Sequence, residues 1–262
     1  MSIELRNRTT DIGRLKINYY SGGEGEPLVI IHGGASSSEA WIENASELTR
    51  AYAVYVPDLP GFGRSAALAG DYYLPELVNF IDDFTCSLGL DKFHLIGHSL
   101  GGAVALNYVL TFPQKVKKLV LISSMCLTNE VSWWIRLFSH SVFVKTIGFP
   151  LIMLLRAIKW LFGTLFRGID FVIPLNEASI RIGSGLSSLG EYSKSLINRV
   201  SEVVVPTLLV WGGKDPILPA KQAYDVAELI PLCQVKVFEG GGHNVYRQRI
   251  DEFSQLVTDF LG

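Results

Sequence analysis

The chain has 262 residues, with 23 basic and 25 acidic side chains and a formal net charge of −2. That length buries a sizeable core and suits one α/β domain with an insertion. The near-balanced charge excludes the basic face that a nucleic-acid partner requires, and the three cysteines, Cys86, Cys126 and Cys233, are too scattered for a disulfide framework or a metal site.

In chain order, Met1–Arg8 carries charges where a secretory signal needs an apolar core, so a cytoplasmic location is expected. Residues 3–20 read as two strands joined through Thr9-Thr10-Asp11-Ile12-Gly13, the second alternating over Leu15–Tyr20. Pro27–Ile31 is a continuous apolar run, the pattern of a strand buried on both faces. It enters the donor-rich loop His32-Gly33-Gly34-Ala35-Ser36-Ser37-Ser38, followed by a helix over 39–50. Ala51–Val56 is the next strand and a helix follows near 73–89. Phe93–His98 and Lys118–Ile122 are buried strands flanking a helix that reaches Phe112. Pro206–Trp211 and Gln234–Phe238 are the last strands, with a helix near 219–230 between them and an amphipathic helix over Arg247–Leu261. Apolar strands alternating with helices specify a doubly wound, mostly parallel sheet with an antiparallel start. Reactive groups in such sheets gather at the carboxyl ends of the strands.

Residues 126–200 break the alternation, so the expected core is 1–125 with 201–262, and 126–200 a helical cap. Leu151, Leu154, Leu155, Ile158, Leu161, Phe162, Leu165 and Phe166 recur at helical spacing, with Arg156, Lys159, Gly163 and Arg167 as a narrow opposite stripe. The uncharged run from Thr146 to Leu155 is about half the ~20 residues that span a bilayer. A basic, apolar surface of this kind suits contact with a membrane face rather than a crossing.

The chemistry centres on Gly97-His98-Ser99-Leu100-Gly101, a G-x-S-x-G between a clean strand and a clean helix. A serine hydroxyl needs a base within reach, itself oriented by an acid. Asp215 follows the strand at 206–211 and His243 follows the strand at 234–238, each after a glycine-rich turn. The order Ser99, Asp215, His243 at strand ends therefore reads as a catalytic triad. The backbone N–H of Leu100, directly after the nucleophile, is one donor for the developing oxyanion. The N–H of Gly34 is the second, ahead of that of Ala35. No residue pattern calls for a metal or a cofactor.

These segments resemble the α/β-hydrolase superfamily, in its cap-bearing branch of esterases, lipases and carbon–carbon hydrolases. The likeness covers residues 15–125 and 203–262. It rests on His32-Gly33-Gly34, Asp58-Leu59-Pro60-Gly61-Phe62-Gly63-Arg64-Ser65, Gly97-His98-Ser99-Leu100-Gly101-Gly102, Trp211-Gly212-Gly213-Lys214-Asp215 and Gly242-His243. The resemblance implies an eight-stranded α/β-hydrolase fold. Two departures bear on subfamily: no proline follows the glycines of the 32–38 loop, unlike many proline iminopeptidases, and the nucleophile is not the Asp of haloalkane dehalogenases and epoxide hydrolases. Asp58 and His32 read as structural residues of their loops, and His98 as pointing away from the site. His94 and His140 read as non-catalytic.

Three functions follow as expectations. The first is a serine hydrolase of a carboxylic ester of an apolar acyl or aromatic substrate, with Trp133, Trp134, Phe138 and Trp160, joined by Phe143, Phe149, Phe162 and Phe166, as an apolar cap lining. The second keeps the triad and cleaves carbon–carbon bonds of vinylogous diketones, with Arg136, Arg156 or Lys159 meeting an acidic substrate. The third is a binding protein that retains the fold and makes little use of the triad.

Overall fold

A computed structural model describes residues 4–68, 74–127 and 196–262. Eight strands form one sheet: β1 (Arg6–Ile12), β2 (Leu15–Gly22), β3 (Glu26–Ile31), β4 (Tyr52–Pro57), β5 (Phe93–His98), β6 (Val116–Ile122), β7 (Thr207–Gly212) and β8 (Cys233–Phe238). Their spatial order is β1-β2-β4-β3-β5-β6-β7-β8, with the β1–β2 and β2–β4 pairs antiparallel and the other pairs parallel. The connections reverse direction between β3 and β5, and the crevice at such a switch point is where α/β sheets bind ligands.

The first hairpin differs from the sequence reading. Residues 9–12 continue the ladder with β2, through Thr9 opposite Asn18 and Ile12 opposite Leu15, and the turn is made at Gly13, whose φ is +59°. Polar side chains do not interrupt an edge strand, since its outward face is solvated. What ends it is the one residue that accepts a left-handed backbone.

Alternation of side chains divides the core between the two faces of the sheet. On one face, Val29, Ile31, Leu95, Leu119, Leu121 and Leu209 meet α2 (Leu74–Ser87) and α3 (Leu100–Thr111). On the other, Leu28, Ile30, Ile96, Val120 and Val210 meet α1 (Ile42–Leu48) and the C-terminal helices. The expected helix over 39–50 divides into a 3-10 turn, Ser38–Trp41, and α1. A short α4 (Lys221–Ala227) precedes β8. The expected terminal helix divides as well, into α5 (Val245–Gln248) and α6 (Ile250–Leu261), at Arg249 with φ −137°. The break keeps its hydrogen bonds, Arg249 N–H to Val245 O and Phe253 N–H to Arg249 O. It lets Tyr246 stack on Trp41 at 4.0 Å while Phe253 packs against both rings.

The expected cap lies outside the described residues except at its ends, as do Trp133, Trp134, Phe138, Trp160, His140, Arg136, Arg156 and Lys159. Those ends, Cys126, Leu127, Leu196 and Val200, are buried in the sheet's first core. No described helix is long and apolar enough to cross a membrane.

Between β5 and α3 the chain turns at Ser99, with φ +52° and ψ −115°. A Cβ on Gly97 would lie 2.3 Å from the Gly101 oxygen, and one on Gly101 would lie 2.4 Å from the Ile31 oxygen. Both clashes are with backbone, which cannot step aside. Gly101→Ala should therefore lower unfolding stability by about 3 kcal/mol or more. Gly34→Ala, whose added carbon meets only ordinary contacts at 3.6 and 3.7 Å, should stay within about 1 kcal/mol of wild type in the same urea titration.

Candidate active site

Ser99 is fixed by its backbone. Its N–H donates to Ile122 O at 3.0 Å, and its carbonyl accepts from Gly102 and Met125, each at 3.0 Å. A non-glycine residue held at such torsions stores roughly 1–3 kcal/mol, and these bonds from β6 and α3 keep it there. The loop after β3 lies alongside, since a Cβ on Gly33 would come 3.2 Å from the Ser99 Cβ and one on Gly34 would touch the Leu100 side chain. The N–H groups of Gly34 and Leu100 donate to no described acceptor.

Asp215 and His243 stand on turns that are locked together. A Cβ on Gly212 would collide with the Gly242 oxygen at 2.2 Å, and the bare backbones instead exchange bonds, Gly213 N–H to Phe238 O and Lys214 N–H to Gly241 O. The Trp211 indole N–H donates to Leu218 O at 2.9 Å and pins the turn from below. The result is a His243 Nδ1 to Asp215 Oδ2 contact of 2.8 Å, with the Asp215 side chain fully buried and that of His243 13% exposed. Asp215 Oδ1 accepts from the amides of Ile217 and Leu218 at 2.8 and 3.0 Å. Burial pushes the Asp215 carboxyl up, but the His243 ring and these two amides outweigh it and hold the group below the usual carboxylate range. An ionised Asp215 accepts the Nδ1 proton of His243 and leaves Nε2 as the free, basic nitrogen.

The other histidines sort by their partners. His32 donates from Nδ1 to Gly33 O at 2.8 Å and accepts at Nε2 from the Leu59 amide at 3.0 Å, which stiffens the loop beside Ser99. His94 lies at the amino end of β5 and meets Glu26 at 2.8 Å, at the far end of the strand from the elbow. His98 corrects the sequence reading. It does not point away: its ring lies 4.9 Å from that of His243, and its Nε2–H donates to His243 O at 3.1 Å. The residue before Ser99 therefore holds the His243 loop against the elbow. No spacing in the sequence signals this, because the bond goes to a main-chain oxygen brought in by the last strand. Asp58 is a joint between segments. Its carboxylate accepts from Asn18 Nδ2, Ser38 N–H and Arg64 N–H, and a Cβ on Gly63 would overlap it.

Burial lowers the pKa of His32, His94 and His98 below the ordinary 6.5, that of His98 to about 3, with His243 adding to the effect there. Between pH 6.5 and these folded-state values the unfolded chain binds more protons, so their contribution is full above 6.5 and lost as pH falls. Urea unfolding from pH 7.5 to 4.5 should show stability falling with acid, by up to about 1.4 kcal/mol per pH unit for each histidine. His98→Gln, which retains a donor and cannot titrate, should reduce that slope. An unchanged slope would remove His98 from the account.

The residue pattern of the alpha/beta hydrolase fold matches residues 26–143 and 166–249. Over 267 aligned positions the chain is 27% identical to a 2-hydroxy-6-oxononadienedioate/2-hydroxy-6-oxononatrienedioate hydrolase of Comamonas testosteroni, covering 95% of this chain and 92% of that protein. Among solved structures, 2-hydroxy-6-oxo-6-phenylhexa-2,4-dienoate hydrolase from Rhodococcus sp. strain RHA1 superposes with a TM-score of 0.80 at 21% identity, over 99% of each chain. A bacterial membrane phospholipase A does so at 0.73 and 21%, over 98% of this chain and 86% of its own. At those identities the two structures speak for the fold alone. With the sheet order, the Ser99 turn and the matched residue pattern together, the chain belongs to the alpha/beta hydrolase fold family.

Proposed function

We propose that the chain is a serine hydrolase that cleaves a carboxylic ester of a small apolar substrate. The observation that carries this reading is the Asp215–His243 pair at 2.8 Å, tied through His98 to a serine in a left-handed elbow. Ser99 Oγ attacks the carbonyl carbon while His243 Nε2 takes its proton. The amides of Leu100 and Gly34 stabilise the oxyanion, and Asp215 stabilises the imidazolium. The tetrahedral adduct collapses, His243 returns the proton to the leaving alcohol, and an acyl-Ser99 ester remains. Water, deprotonated by the same nitrogen, then releases the acid and restores the serine. Residues 126–200 are the proposed helical cap over this site, with Trp133, Trp134, Phe138 and Trp160 as apolar substrate contacts. Free thiols at Cys86, Cys126 and Cys233 suit a cytoplasmic location.

A second reading is favoured by the Comamonas relative, which matches over nearly its full length. There the same triad would cleave a carbon–carbon bond of a vinylogous diketone acid, with a basic cap residue meeting the substrate's carboxylate. The two part company on substrate and agree on Ser99.

Steady-state hydrolysis of p-nitrophenyl esters from acetate to palmitate should favour one chain length. Ser99→Ala should lose about 10⁴-fold or more in kcat, and Asp215→Asn about 10⁴-fold. Equal rates in wild type and Ser99→Ala would exclude the elbow serine as nucleophile. Fast turnover of a diketone acid, lost in Ser99→Ala, with poor ester rates would move the assignment to the carbon–carbon hydrolase.

A further inference from the structure

Away from Ser99, the face of the sheet that carries α2 holds a cavity of about 290 Å³. Arg8, Tyr19, Ser21, Tyr55 and Leu88 line it, over the bare backbone of Gly22 and Gly23. Gly23 takes φ +81°, and a Cβ there would strike the Tyr52 oxygen, at the amino end of β4. Ser99, Asp215, His243, Gly34 and Leu100 are not among its lining residues, so this is a separate site.

Strand register assembles it. Arg8 stands opposite Tyr19 and Arg6 opposite Ser21, while Ser21 stands opposite Tyr55. Residues two apart on a strand share a face, and directly opposed side chains have Cβ atoms about 4.5–5.5 Å apart. Two cations and three hydroxyls therefore project from one patch. Tyr19 and Ser21 are only 7% and 8% exposed, yet they line the cavity. Among the described residues, the hydroxyls of Tyr19, Ser21 and Tyr55 have no hydrogen-bond partner, and neither arginine pairs with a carboxylate. The Glu4 backbone oxygen lies beside Gly22.

A guanidinium with three hydroxyl donors and no acid in the lining selects an oxyanion. The tyrosine rings and Leu88 add apolar wall, which inorganic phosphate cannot use and an organic acid can. The volume sits at the small end of ligand sites. We propose that this cavity binds a small organic carboxylate, its oxygens held by Arg8 and the hydroxyls of Tyr19, Ser21 and Tyr55, its apolar body against the rings and Leu88. Burial raises the Tyr19 phenol above its ordinary range although Arg8 opposes it. At neutral pH the hydroxyl therefore keeps its proton and can donate it.

Calorimetric titration of the full chain with sodium benzoate and with inorganic phosphate tests this. Benzoate should bind saturably and phosphate more weakly. Arg8→Gln should weaken benzoate at least about tenfold, and Tyr19→Phe about threefold or more. Arg8→Lys, which keeps the charge and loses the fork, should fall between wild type and Arg8→Gln. Arg8 is exposed on an edge strand, so these variants should melt at the wild-type temperature. Absence of saturable benzoate binding would overturn the proposal. So would benzoate binding that Arg8→Gln leaves intact, or phosphate binding as tightly as benzoate.

Discussion

The exclusion of any Cβ at residues 97 and 101 is the constraint on which the rest of this structure depends. Gly97 and Gly101 approach within van der Waals contact of each other's backbone and of β3, so strand and helix cross with no side chain between them. That crossing forces Ser99 to φ +52° and presents it above the sheet. It also brings the 32–35 loop against the elbow, because Gly101 rests on the Ile31 and His32 carbonyls. The turn at Ser99 and the approach of the 32–35 loop are two results of one packing decision. The same device recurs at the neighbouring strand ends, where Gly212 and Gly242 let the acid and base turns touch.

Around this steric frame the polar groups serve as joints. Asp58 gathers Asn18, Ser38 and Arg64 into one carboxylate and so binds three segments that share no secondary structure. His32 and His98 each take a main-chain partner from another loop or from their own turn and stay neutral in doing so. Neutrality matters because a protonated imidazole with no acid partner would cost several kcal/mol in so dry a place. Asp215 is the opposite case, kept ionised by one histidine and two amides. Charge within the site is thereby concentrated on the carboxylate that pairs with His243.

Much of this was legible in the sequence. Continuous apolar runs marked β3, β6 and β7, and alternating apolar residues marked β5, because a parallel strand covered on both faces is apolar along most of its length. Glycine-flanked Ser99 and the glycine-rich turns before Asp215 and His243 marked the strand ends, since backbones that touch cannot carry side chains. The joint of the first hairpin was misread because polar residues at an exposed edge resemble a turn, and only the ladder to β2 distinguishes them. The terminal helix was read as continuous because its apolar spacing survives the break at Arg249, which answers to the Trp41–Tyr246 stack.

By itself, then, the sequence determined the order of strands and helices, the positions where the chain must turn without a Cβ, and the strand ends that carry Ser99, Asp215 and His243. These depend on local periodicity and on residue type, both of which can be read along the chain. Only the tertiary structure decided that His98 faces His243, that Gly33 and Gly34 lie against Ser99 and the Leu100 side chain, and that Arg8, Tyr19, Ser21 and Tyr55 share a cavity. Each of those depends on strand register and on the approach of loops far apart in sequence. No local pattern encodes such distances; they arise when the sheet closes its hydrogen-bond ladder and its two cores pack.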